Sequence, residues 1–339
     1  MTPTSRPVSH PFTRHAKRPG GFLLTGPLAM AAILAALVAG GAWAQSFPSK
    51  PVTMLIGFAA GGNIDNSGRY LAQKLASRLG QPVIVENRAG ASGQLAVQQL
   101  MVSPPDGHTI MFMSAGTTIT SARRNAPFDV RRDITPISAT AAGPLALYVN
   151  PGQPIHTVAD LLRLARANPG KLNYTSPGVG SLQNLLFELL KQRTGIDMVH
   201  IPFKSAGEST AAVVAGRVEV GMDSMLLLKP QVEGGRLRFI AVTSAKASSG
   251  IPGRAESGVP DFDFLSWTGF GAPPRTAKSP VDTLNAAMSE AYREPDVKAY
   301  FSRIGQDMMG GSPEQFAQLL SREVDTWSKL IRSANIEFE

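Results

Sequence analysis

Small and hydroxyl-bearing residues gather wherever an apolar, strand-like run gives way to a helical pattern. The first such point is Phe58-Ala59-Ala60-Gly61-Gly62-Asn63-Ile64-Asp65-Asn66. Its two glycines let the backbone turn and come close to another group, and Asn63 or Asp65 can cap the first helical turn. A helix start also presents free N–H groups and a positive dipole end, so the chemistry suited to this loop is capture of an anion by backbone amides. The same residues suit a plain tight turn, and this loop by itself leaves both readings open. It lacks the lysine and the glycine spacing of the phosphate-cradling and dinucleotide-binding loops, which disfavours nucleotides. Similar junctions recur at Ser114-Ala115-Gly116-Thr117-Thr118, Ser176-Pro177-Gly178-Val179-Gly180-Ser181, Pro202-Phe203-Lys204-Ser205-Ala206-Gly207 and Asp223-Ser224.

Positioning these loops requires alternating strands and helices. Residues 52–57 form a short apolar run, and Leu71, Leu75 and Leu79 mark one helical stripe that Gly80 and Pro82 end. A second strand at 83–85, a helix over 93–101, the turn Pro104-Pro105-Asp106-Gly107 and a strand at 109–113 complete a βαβαβ unit. That unit calls for a parallel sheet with right-handed crossovers, whose ligands sit outside the carboxyl ends of the strands. The pattern restarts after an extended stretch at 145–149, with helices from Thr157, over 182–194 and over 208–215, and strands at 171–175, 198–201, 218–222 and 237–242. Residues 244–263 read as an irregular connection and 266–273 as another extended crossing. Ser312-Pro313-Glu314-Gln315 then opens a helix with the apolar stripe Phe316, Leu320, Val324, Trp327 and Ile331. The expected organisation is two α/β lobes with the tail returned to the first: residues 45–146 and 271–339 in lobe I, 147–270 in lobe II. Two crossing strands, 145–149 and 267–271, would span the cleft and serve as its hinge.

Residues 1–44 read as a cleaved export signal. Arg6, Arg14, Lys17 and Arg18 precede an apolar core at 28–38, and Ala42-Trp43-Ala44 has the small-x-small cleavage pattern. The basic residues do not form a twin-arginine pair, so the general secretory route and a periplasmic location are expected. Removing those four basic residues lowers the formal charge from +8 to about +4, too mild a balance for a nucleic-acid partner. The sequence contains no cysteine, which excludes disulfides, thiol nucleophiles and thiolate metal sites. Beyond the leader the histidines are His108, His156 and His200, read as turn or surface residues without metal-ligand spacing.

Several motifs then occur in a fixed order: Phe58-Ala-Ala-Gly-Gly-x-x-Asp65, Pro82-Val-Ile-Val-Glu-Asn-Arg88 with Gly90-Ala-Ser-Gly93, Pro105-Asp-Gly107, Tyr174-x-Ser-x-Gly178-x-Gly180-Ser181, Ile201-Pro-Phe-Lys204, Gly216-Arg-Val-Glu-Val220 and Ala241-Val-Thr-Ser244. In this order they resemble the periplasmic solute-binding receptors of tripartite tricarboxylate transporters, often called Bug or TctC-like receptors, from Ser46 to the carboxyl end. The resemblance implies a type II periplasmic binding protein, two α/β lobes joined by two crossing strands with a ligand cleft between them. It implies no cofactor, no metal and no catalytic residue. The partners would be a small organic acid (a di- or tricarboxylate, an amino acid or an aromatic acid) and membrane transporter subunits, with the receptor itself a monomer. Carried over by position, first-lobe contacts come from Phe58, Ala60, Gly61, Gly62, Asn63, Ile64 and Asp65, and from Ser114, Thr117 and Thr118. Second-lobe contacts come from Ser176, Gly178, Gly180 and Ser181, from Phe203, Ser205 and Ala206, and from Asp223 and Ser224.

The chain departs from that family's pattern in three places. Ala60 replaces a proline, Ile64 replaces a threonine, and Leu182-Gln183-Asn184 stands where polar residues, often with a histidine, follow the serine. Ile64 at an anion seat removes a donor and points to a less polar ligand such as an aromatic acid; turned into the lobe core it implies nothing about the ligand. Asp65 is either a helix cap or an acceptor for a ligand ammonium, hydroxyl or bridging water. The rival class is a periplasmic α/β enzyme on carboxylates, with Asp223 as its acid, although no partner base or nucleophile is visible. A receptor that signals to a membrane sensor is the third reading.

Overall fold

Val52–Ile56 (β1) is buried on both faces, as its apolar run requires, and it lies between Val83–Asn87 (β2) and Thr109–Ser114 (β3), parallel to each. The computed structural model describes residues 47–338 except 91–92, 245, 247, 249, 254–258 and 260–261. The expected leader therefore lies outside the described residues. The order β2-β1-β3 is the one a right-handed βαβαβ unit produces.

The central strand is Thr135–Val149 (β4), fifteen residues long and buried over most of its length. Its first part, 135–144, pairs antiparallel with Leu265–Ala272 (β9) and, through Ala139–Ala142, with Asp307–Gly310 (β10). Its second part, 145–149, pairs with Val220–Ser224 (β7) and Arg238–Val242 (β8). Beyond β7 lie Asn173–Ser176 (β5) and Val199–Pro202 (β6), parallel to each other. One strand thus belongs to two half-sheets, exchanging partners between Pro144 and Leu145.

The second expected crossing is corrected by this pairing. Residues 267–271 are hydrogen-bonded on both sides within the first half, to β3 at one edge and β4 at the other. Phe264 still exchanges hydrogen bonds with Thr243, just after β8, and the next residue, Leu265, already pairs with Pro144. The first half therefore begins again near residue 265, not 271. Gly143 and Gly269 in these paired stretches leave no room for a Cβ against Gly305 and Phe316.

The last helix, Pro313–Ser333, begins with the anticipated capping box between Ser312 and Gln315 and buries Phe316, Leu320, Val324, Trp327, Leu330 and Ile331. At about 1.5–3 kcal/mol per fully buried large apolar side chain, that stripe anchors the tail strongly. It does not return to the first half alone. It packs on β4 and on the helix Ala115–Ser121, and also on the helix Leu182–Thr194, where Gln192 donates to Ser333 Oγ at 2.9 Å. One continuous apolar core consequently runs behind both half-sheets, from Leu55 and Met111 to Leu186 and Met222. Among the described residues no helix is long and apolar enough to cross a membrane.

Candidate functional site

Each proposed loop is held from beneath before it offers anything to a ligand. In the first, the helix starts at Asn63 with Gly62 as its N-cap, and no side chain caps it. Asp65 is buried and works inside the loop: Oδ2 accepts from the Gly61 N–H at 2.9 Å, Oδ1 from Asn87 Nδ2 at 2.7 Å, and Arg69 Nε donates to the carboxylate at 3.0 Å. Asn87 Nδ2 also donates to Phe58 O at 3.0 Å, tying the loop to the end of β2. Burial pushes the Asp65 carboxyl up, but the bonds from Arg69, Asn87 and Gly61 outweigh it and hold it below the usual range. Both oxygens are thereby occupied, and Asp65 is neither the side-chain cap nor a free acceptor. Gly61, at φ 86°, spends its N–H on Asp65, so the anion-seeking amides of this loop are those of the helix's first turn.

The second loop uses the same geometry with neutral groups. Asn184 Oδ1 accepts from the Gly180 N–H at 2.9 Å, four residues back, as Asp65 does from Gly61. Asn184 Nδ2 donates to Tyr174 Oη at 2.8 Å. Ser176 Oγ donates to Gly178 O or meets His200 Nε2 at 2.7 Å, and Ser181 Oγ donates to Gly178 O at 2.8 Å. His200 is therefore a half-buried member of this network, stacked on Tyr174, and not the turn or surface residue expected. Burial lowers its pKa, favouring the neutral ring.

A cavity of about 270 Å³ lies between the two loop sets. Phe58 and Ile64 line it from the first loop, Ser114 and Gly116 from the end of β3, Gly180, Ser181 and Gln183 from the second loop, and Asp223 and Ser224 from the end of β7. Ile64 also packs against the first-half core. The helices Asn63–Leu79, Ala115–Ser121, Leu182–Thr194 and Met225–Glu233 all begin at this cavity. Their N-terminal dipoles converge there, which makes the space favourable to negative charge.

Other expected residues stand outside. Ala60, Gly61, Gly62 and Asn63 are exposed and do not line the cavity; Ser176 and Gly178 hydrogen-bond to each other within the second loop. Ser205 is the N-cap of Ala206–Val214, accepting from the Glu208 N–H, and Phe203 packs on the apolar cluster behind that helix. Neither they nor Ala206 reach the cavity. Thr117 and Thr118 are turned away because the segment after β3 is a helix, not the expected loop. Thr118 Oγ1 instead lies 2.8 Å from the buried carboxyl of Glu323, whose pKa burial raises.

The helix presents Gly116, Ile119 and Thr120 to the cavity, and Arg123, just past its C-cap Ala122, lines it too. Arg123 was not among the expected contacts, yet it is the one cation among the described residues lining this space. The residues before it read as a loop in the sequence, and the helix they form ends just short of Arg123. Asp223, opposite, is almost fully buried; burial raises its pKa, against hydrogen bonds from the Ser224 N–H at 2.7 Å and Gln183 Nε2 at 3.0 Å.

The sequence matches the family model described as tripartite tricarboxylate transporter family receptor over residues 68–336. A Pseudomonas sp. protein named for its place in the tcbD-tcbE intergenic region is 33% identical over 292 residues, spanning 85% of this chain and 87% of the relative. Among solved structures, an R. palustris protein with adipate shares 32% identity at a TM-score of 0.76, covering 86% of this chain and 99% of that one. MatC from Rhodopseudomonas palustris with bound malate shares 27% identity at a TM-score of 0.73, covering 84% and 100%. With the two-lobed α/β fold, the cavity between its loop sets and a match along most of its length, the chain belongs to the tripartite tricarboxylate transporter receptor family, a family of solute-binding proteins and not of enzymes.

Proposed function

We propose that this chain is an extracytoplasmic receptor that captures a small organic carboxylate between its two loop sets and delivers it, as a monomer, to a tripartite tricarboxylate-type membrane transporter. The observation that carries this reading is the convergence of four helix N-termini on one cavity of about 270 Å³. That volume lies near the small end of ligand pockets, which run from roughly 300 to 1,000 Å³. The ligands named for the relatives, adipate and malate, are both small carboxylates and support the same reading. Among the described residues Asp223 is hydrogen-bonded to Gln183 and to the N–H and hydroxyl of Ser224, with no base beside that hydroxyl, which suits a binding wall better than an acid catalyst.

Thermal denaturation of the protein from residue 45 onward, screened against mono-, di- and tricarboxylates, amino acids and aromatic acids, tests it. A ligand at a hundred times its Kd adds about 2.7 kcal/mol of stability. A carboxylate that raises the melting temperature in a concentration-dependent way is expected. No shift with any acid, at millimolar concentration, overturns the reading.

A further inference from the structure

A second cavity, of about 400 Å³, shares no residue with the one between the loop sets. Side chains alternate along β9, so Ser266 lines the first cavity while its neighbours Leu265 and Trp267 line the second, on the other face of the sheet. Phe264, Trp327, Leu319 and Met309 complete its apolar walls, with the Phe264 and Trp327 ring centroids 5.3 Å apart. Leu265 and Met309 are exposed, so the space is open to solvent. Its volume is that of a small-molecule site, which runs from roughly 300 to 1,000 Å³.

Glu323, from the last helix, brings a carboxyl group into these walls. Thr118 Oγ1 lies 2.8 Å from its Oε2. The indole N–H groups of Trp267 and Trp327 are buried and approach the same carboxyl, helping to keep it charged against the burial that raises its pKa, although neither closes a hydrogen bond. What this carboxylate lacks is a countercharge. Among the described residues no cation pairs with it, and Arg322, which also lines the cavity, is exposed and acts on it only through space. The lining therefore sets the carboxylates of Asp263 and Glu323 against the single guanidinium of Arg322.

A buried carboxylate without a partner is costly, and a cation that enters beside it removes that cost. The aromatic walls add to the attraction, because the face of an indole or phenyl ring is negative and draws an ammonium group towards it. Alkyl groups on the nitrogen would meet Leu319 and Met309. An anion would gain nothing from the ring faces and would be repelled by Glu323, and a neutral apolar molecule would leave the carboxylate as it is.

We propose that this cavity is a second binding site, for a small organic ammonium ion, separate from the cavity between the loop sets. The proposal stands whether or not the first cavity takes a carboxylate.

The protein supplies its own reporter. Of the three tryptophans in the sequence, Trp43 precedes residue 45, so the protein from residue 45 onward carries only Trp267 and Trp327, both in this cavity. Its intrinsic fluorescence is titrated with choline and with 3,3-dimethylbutan-1-ol, which has the same shape with carbon in place of the charged nitrogen, at constant ionic strength. Choline should change the emission saturably and bind at least about tenfold more tightly than the alcohol, the scale of a cation–π contact joined to a countercharge. Glu323→Gln should weaken choline about tenfold and leave the alcohol within about threefold, since only the charge is removed. Met309→Lys, an exposed change that spares both tryptophans and Glu323, should weaken choline about fivefold by like-charge repulsion, and it keeps the test independent of how Glu323 packs. No saturable response to choline at tens of millimolar overturns the proposal. So does equal binding of choline and the alcohol, or unchanged choline affinity in either folded variant.

Discussion

The turns at Gly61 and at Gly180 are built to one plan and completed with different chemistry. Each follows a strand, each holds a glycine at positive φ, and each donates that glycine's N–H to a side chain four residues on. The first acceptor is a carboxylate wired to Arg69 and Asn87; the second is the Asn184 amide, wired to Tyr174 and bordered by His200. The charged version carries its own counter-ion at the rim, where Arg69 is half exposed. The neutral version lies deeper and has no counter-ion. The difference teaches that the loop's shape requires only an acceptor at that position, and that the acceptor's ionisation is set by what can reach it.

Removing each acceptor breaks the comparison most severely. Asp65→Ala strands the Gly61 N–H, Asn87 and Arg69 together and should cost about 3 kcal/mol, at roughly 1–3 kcal/mol per buried group left unsatisfied. Asn184→Ala strands only neutral partners and should cost about 2 kcal/mol. Urea denaturation of both variants measures this; a larger loss for Asn184→Ala reverses the ranking.

Adding a Cβ to each glycine comes next. Gly61 has nothing within 4 Å of the added carbon, so Gly61→Ala should cost only the backbone strain, about 1 kcal/mol. Gly180→Ala carries the same strain and also displaces Phe338, so its loss should exceed that of Gly61→Ala by about 1 kcal/mol or more. Gly62, at φ −78° with ordinary contact distances, should accept alanine with little change. Melting temperatures of the three variants decide the order.

Acidity gives the smallest and most selective effect. Burial keeps the His200 pKa low in the folded protein, so the unfolded chain binds the proton more readily. Its contribution is whole above the unfolded value of about 6.5 and is lost as pH falls through the folded one. For Asp65, also lowered, the contribution is whole above about 4 and is lost in stronger acid. On acidification the neutral loop should therefore loosen first and the charged loop second. Denaturation free energies against pH for the native protein, His200→Gln and Asp65→Asn should show the first variant flattening the slope below about pH 6.5 and the second only below about pH 4.

These contrasts also mark how far the sequence could be read. The unit from Val52 to Ser114, the family membership and the capping box at Ser312 were legible, because apolar period, glycine placement and cap chemistry are local signals. The site was legible as a set of loops but less so as a set of side chains. Thr117 and Thr118 are expected inward because Ser114-Ala115-Gly116-Thr117-Thr118 reads as a small-residue loop; once the segment is helical, the cavity is lined instead by Gly116, Ile119 and Thr120. Asp65 reads in the sequence as a helix cap or a ligand acceptor, and only the fold brings Asn87 and Arg69 against it. The extended stretch at 267–271 was rightly seen as a strand, but its neighbours at Met111–Ser114 and 135–142 are set by long-range pairing that no local pattern reveals.

The shared strand β4 has a consequence for how the protein is made. Its partners come late: β7 and β8 from residues 220–242, β9 from 265–272 and β10 from 307–310. A chain emerging from its amino end has completed β4 by residue 149 while its future neighbours are still unsynthesised, leaving a long apolar edge with bare N–H and C=O groups. Such an edge is a template for wrong pairing between nascent copies. That edge stays open to other chains until residues as late as 310 have arrived, so the order of synthesis, and not only the strength of any loop, bears on how cleanly the sheet closes.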